Sequence, residues 1–96
     1  MRVRYTESAN DENDRLLASI AADSPTAAAD VAAAIEATVA RLSTFPRLGV
    51  ETDLPGVRLT VARPYAYLIF YTIEREVLVV RNIRHPSRRR PPGDRS

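Results

Sequence analysis

The hydrophobic and polar positions of this chain change period twice, and the changes divide it into a strand, two helices and a run of strands. Arg2-Val3-Arg4-Tyr5 alternates charged and apolar residues, as a short edge strand with one buried face would. Ser8 stands three residues before Asp11, close to a capping box, and Asp11, Glu12 and Asp14 suit a helix N-terminus. A helix is therefore predicted from about Ser8, with Leu16, Leu17, Ile20 and Ala21 on its apolar face, ending at Asp23-Ser24-Pro25. Ser24 followed by Pro25 is itself a start signal, a hydroxyl N-cap and then a proline whose missing N–H costs nothing in the first turn.

The second helix carries Ala28, Val31, Ile35, Val39 and Leu42 at intervals of three and four, with alanines that allow close approach of a neighbour. Phe45-Pro46 stops it, because a residue before proline is pushed out of the helical region. Residues 46 to 56 read as a loop closing on Pro55-Gly56. Val57, Leu59 and Val61 then alternate with polar residues up to Ala62; Tyr67 to Ile73 is apolar on both sides, like a central strand; Glu74-Arg75-Glu76 turns into Val77 to Ile83.

The pattern is α+β in the order β-α-α-β-β-β, with a helical hairpin on one face of a small, mainly antiparallel sheet. The central strand offers Leu68 and Phe70 on one side and Tyr67, Ile69, Tyr71 and Ile73 on the other. One hairpin covers one face, so one set needs a cover from elsewhere, and a protein partner is expected there. The single domain spans residues 1–85; residues 86–96, rich in arginine and proline, have too little apolar content to pack and read as a flexible tail.

Ninety-six residues allow one modest core. The absence of cysteine removes disulfides, thiolate metal sites and cysteine nucleophiles, and the cytoplasm is the expected location. No apolar run is long enough for a signal peptide or a membrane span, so neither export nor membrane insertion is expected. Three scattered glycines make no phosphate-cradling loop, and a lone histidine makes no metal site; no cofactor is expected.

All 14 basic residues are arginine, against 12 acidic ones. The absence of lysine is consistent with a GC-rich genome as well as with a preference for the guanidinium fork, which pairs in bidentate fashion with carboxylate or phosphate. Arg81, Arg84, His85, Arg88, Arg89 and Arg90 cluster at the end of the last strand, with Arg58 and Arg63 on the strand two places before it. They suggest an anionic grip, with Glu51 the one carboxylate considered as a partner of His85; a solvated terminus, a structural histidine and a loop-surface Glu51 are the competing readings. Tyr5, Tyr65, Tyr67 and Tyr71 are a stacking platform or, more simply, core and rim residues.

The order of local phrases is similar to one superfamily over some eighty positions. Val3-Arg4-Tyr5-Thr6, Leu42 through Pro46 and Gly49, Gly56-Val57-Arg58, Pro64-Tyr65, Tyr67-Leu68-Ile69-Phe70-Tyr71 and Val79-Val80-Arg81-Asn82-Ile83-Arg84-His85, then Arg88-Arg89, together resemble the ParE and RelE toxins of type II toxin-antitoxin systems. The resemblance implies two activities, beside the alternative of a non-toxic module that only binds the antitoxin. RelE-like members are ribosome-dependent endoribonucleases that cut messenger RNA; Glu51, Arg58, Arg63, Arg84 and His85 would supply that chemistry here. ParE-like members poison DNA gyrase and are not nucleases. Nuclease members carry arginine where this chain has Leu68, and leucine supplies no charge to a pentavalent phosphate, so the ParE-like branch is favoured.

On that branch the arginine cluster would supply the gyrase contacts, through Arg58, Arg81, Arg84, His85 and Arg88. Leu16, Ile20, Tyr67, Ile69 and Tyr71 would meet a cognate antitoxin lying over the hairpin and the sheet in a hetero-oligomeric complex.

Overall fold

The computed structural model of the chain describes residues 1–86. Its elements are β1 (Arg2–Tyr5), α1 (Glu7–Asp23), α2 (Pro25–Thr44), β2 (Val50–Glu51), β3 (Arg58–Ala62), β4 (Tyr67–Glu74) and β5 (Val77–Arg84). The sheet runs β1-β5-β4-β3-β2, with β1 parallel to β5 and the other pairs antiparallel. The expected α+β class, helical hairpin and edge position of β1 are all present, and the sheet has one strand more than the pattern predicted. Arg88, Arg89 and Arg90, and the tail expected from residue 86, lie beyond the described residues apart from Pro86 itself.

Helix α1 begins earlier than the Ser8 signal implied. Thr6 is the N-cap, its Oγ1 accepting the Ala9 N–H at 3.0 Å, while the same hydroxyl donates to the Arg81 carbonyl of β5. A threonine that caps the helix and also ties it to the sheet displaces a serine that would only cap it. Ser24 alone separates the helices. Its N–H closes α1 on the Ile20 carbonyl at 2.8 Å and its Oγ opens α2 by accepting from Ala27 at 3.1 Å, with Pro25 in the first turn as expected. The chain leaves α2 at Phe45, before Pro46.

The hairpin covers the face of β4 that carries Tyr67, Ile69, Tyr71 and Ile73. Val31, Ile35, Val39 and Leu42 of α2 join Leu78, Val80 and Ile83 of β5 in the same core. Those β5 positions are not evenly spaced, and the reason is a bulge. Phe70 pairs with Asn82 but Tyr71 pairs with Val80, so Arg81 is the extra residue, and the one-residue slip returns Ile83 to the core side. On the opposite face stand the cross-strand pairs Leu59 with Phe70 and Val61 with Leu68.

β2, within the stretch read as loop, is held from outside its own sequence. The Tyr71 hydroxyl accepts from Gly49 N at 2.9 Å and donates to the Pro46 carbonyl at 2.7 Å, and Arg58 donates to the Gly49 carbonyl at 2.6 Å. Pro55 and Gly56 form the turn into β3, with the Val57 N–H on the Leu54 carbonyl and Gly56 at φ 79°.

Candidate functional site

The end of β5 lies against the helical hairpin and opens a cleft of about 440 Å3. Leu16, Ile20 and Ala27 line it from the helices, Ile83 and Arg84 from the strand with His85 just after it, and Glu12 and Arg15 from the first half of α1. Apolar side chains in the middle with both charge signs at the rim suit a protein segment with an apolar face and polar flanks. Two residues expected to meet a partner, Leu16 and Ile20, are half-buried here and open to the cleft.

The other three partner-contact residues are placed differently. Ile69 and Tyr71 are fully buried beneath the helices and Tyr67 is 8 % exposed, so they hold the core together and offer a partner no surface. The pattern of β4 is symmetrical enough that either face suits the hairpin, and the helices took the side with the larger set. The apolar sheet surface that remains for a partner carries Leu59, Val61 and Phe70, all partly exposed.

The arginine cluster is divided in the same way. Arg58 is fastened to the loop before β2: besides Gly49 it donates to the Arg47 carbonyl at 3.3 Å and to Glu51 Oε2 at 3.3 Å, and its side chain is only 15 % exposed. Glu51 thus partners Arg58, not His85. β2 and β5 are separated by β3 and β4, about 14 Å across the sheet. Glu51 also stands in the row of Arg58, Tyr71 and Val80, whereas His85 lies beyond the row of Val61, Leu68 and Arg84. The five residues of the nuclease set are therefore not in one place: Glu51 and Arg58 are at one corner, while Arg63, Arg84 and His85 belong to the opposite end.

At that opposite end His85 meets the Tyr67 ring edge-on, with centroids 5.3 Å apart, and Tyr65 lies 6.2 Å from Tyr67. Three of the four tyrosines, Tyr5, Tyr67 and Tyr71, belong to the core or pack against it, as the simpler reading expected. Arg81, lifted by the bulge, donates Nε to Thr72 Oγ1 at 3.1 Å and a terminal nitrogen to Glu74, with Arg4 on the far side of the same carboxylate at 4.0 Å. The Arg81 hydrogen bond, helped by that of Thr72, holds the Glu74 carboxyl below its ordinary pKa.

One functional candidate was missed in the sequence. Glu12, grouped there with the helix-start charges, accepts from Asn82 Nδ2 at 3.2 and 3.3 Å, from the Ile83 N–H at 2.9 Å and from Arg84 Nε at 3.1 Å. Its neighbours Asp11 and Asp14 have the same charge and look the same in sequence; only the packing angle of α1 against β5 distinguishes it. A second feature was equally hidden. Phe45, Leu48, Val50 and Leu54 are exposed on a loop whose backbone is pinned by Tyr71 and Arg58.

Among the described residues no group of three acidic or histidine side chains is placed to hold a metal, and no helix is long and apolar enough to cross a membrane.

A strand, a one-residue helical hairpin and an antiparallel sheet with a second, partly apolar face define a small α+β module of known architecture. A solved chain described as the chromosomal ParDE TA system from P. aeruginosa has the same fold, with a TM-score of 0.76 at 17 % identity, covering 88 % of this chain and 95 % of that one. The sequence from residue 3 to 90 matches the family described as ParE toxin of type II toxin-antitoxin system, parDE, and the chain belongs to that family. No curated protein shows significant sequence similarity to it.

Proposed function

We propose that the chain is a cytoplasmic toxin that inhibits DNA gyrase and is neutralised by a cognate antitoxin in a hetero-oligomeric complex. The observation that carries the choice of target is the separation of Glu51 and Arg58 from Arg84 and His85 across the sheet. A ribonuclease must bring a base and cationic groups to within hydrogen-bonding reach of one phosphate, and this arrangement supports no such convergence. Leu68, near the start of β4 and paired with Arg84, supplies no charge there either. Inhibition by binding asks only for a rigid surface with charged and apolar contacts.

Target contact falls to Arg81, Arg84, His85 and Arg88, with Arg58 serving the loop instead. The antitoxin occupies the cleft along Leu16 and Ile20 and reaches the apolar sheet surface of Leu59, Val61 and Phe70, which gives those side chains their cover. Induction of the chain alone in a bacterium is expected to arrest growth, and co-induction of its antitoxin to restore it. Normal growth despite soluble expression contradicts the toxin reading.

A further inference from the structure

β1 stops opposite Val80, yet β5 continues to Arg84 with no strand beside it on that edge among the described residues. The first two turns of α1 and its cap take over. The Thr6 N–H donates to the Val80 carbonyl at 3.0 Å, the Thr6 hydroxyl donates to the Arg81 carbonyl at 3.0 Å, and the Glu12 carboxylate receives the Ile83 N–H at 2.9 Å. Glu12 does more than finish the edge. Its four hydrogen bonds use about the whole acceptor capacity of a carboxylate, and two of its three donor residues present side chains, Asn82 and Arg84. Arg84 is held through Nε, the inner nitrogen, so the terminal nitrogens of its planar fork remain to meet an anionic group; its side chain is 46 % exposed.

The geometry points to Glu12 as the positioning residue of the target-contacting end of β5. This rests on the proposed role of Arg84 and His85. An unrestrained arginine has several rotatable bonds to order when it binds, and a side chain already fixed in place avoids that cost. Glu12 fixes Arg84 from a different element, so the target contact depends on the way α1 docks against β5. The backbone of Ile83 is tied by the same carboxylate, which fixes the exit of the strand toward His85.

Glu12→Gln separates the two tasks. Its side-chain carbonyl still accepts from the Ile83 N–H, but its charge, and with it the hold on Arg84, is lost. Inhibition of gyrase supercoiling by the purified chain, compared for wild type, Glu12→Gln, Arg84→Gln and the double variant, is the test. Each single change is expected to weaken inhibition about threefold to tenfold. The double variant should be no weaker than Arg84→Gln alone, because both changes remove one coupled contact. Amide exchange at Ile83 should stay slow in Glu12→Gln. A Glu12→Gln chain as potent as wild type, or losses that multiply in the double variant, overturns the role while leaving the toxin reading intact. A wild-type chain without effect on gyrase removes the target reading itself, and the role with it. Should Glu12→Gln fail to fold, Arg84→Lys carries the test from the other side, since a single ammonium that pairs with Glu12 leaves no second group for the target; unchanged potency there overturns the role equally.

Discussion

The Tyr71 hydroxyl and the Gly49 N–H are 22 residues apart in sequence and 2.9 Å apart in the fold, and this bond holds β2 against the sheet. Gly49 has no alternative residue. A Cβ there would lie 2.6 Å from that hydroxyl and 2.8 Å from the Leu59 carbonyl, and the second is backbone that cannot swing away. Tyr71→Phe leaves a buried donor at Gly49 and the Pro46 carbonyl without this partner, and a loss of about 1–3 kcal/mol in urea unfolding is expected. Gly49→Ala should cost at least as much, and limited proteolysis should cut first between residues 46 and 52 in both variants.

Glu74 gives the fold an acid-sensitive contact. Its carboxyl is held below the ordinary value of 4.5, first by the Arg81 hydrogen bond and then by that of Thr72. A depressed folded pKa means that the contribution is complete above the unfolded pKa and is lost as pH falls through the folded one. The melting temperatures of wild type and Glu74→Gln should therefore differ by a constant amount from pH 7 to about pH 5 and converge as the pH falls below the ordinary carboxyl value of 4.5 and through the depressed one. A difference that stays constant throughout an acid titration, down to acid unfolding, contradicts the Arg81–Glu74 contact.

The β4–β5 turn offers a gain. Arg75 and Glu76 both adopt positive φ, 50° and 65°, as the two central residues of a hairpin turn that favours asparagine followed by glycine. Both side chains are exposed, so nothing is lost by removing them. Combining Arg75→Asn with Glu76→Gly should stabilise the chain by about 1 kcal/mol, or about 4–8 °C in thermal unfolding.

Much of this was legible locally. Ser24-Pro25 both ends and begins a helix through its own atoms, and Phe45-Pro46 stops α2 by a clash between neighbours, so each was readable from its dipeptide. The features missed depend on partners distant in sequence. Thr6 outcompeted Ser8 as the cap because β5 lies beside it; β2 exists because Tyr71 and Arg58 reach across to hold it; the bulge at Arg81 shows in sequence only as an uneven spacing of Leu78, Val80 and Ile83. The candidate site suffered most. Arg58 read as part of an anionic grip and Glu51 as a partner for His85, and they are partners of each other; Glu12 read as a helix-start charge and is the most heavily bonded carboxylate among the described residues.

The direct measurement of the central claim uses purified chain, purified gyrase and relaxed plasmid, with ribosome-bound message assayed in parallel. The chain is expected to block supercoiling, to lose that effect when its antitoxin is added, and to leave the message intact. Message cleavage with supercoiling unaffected would contradict the account.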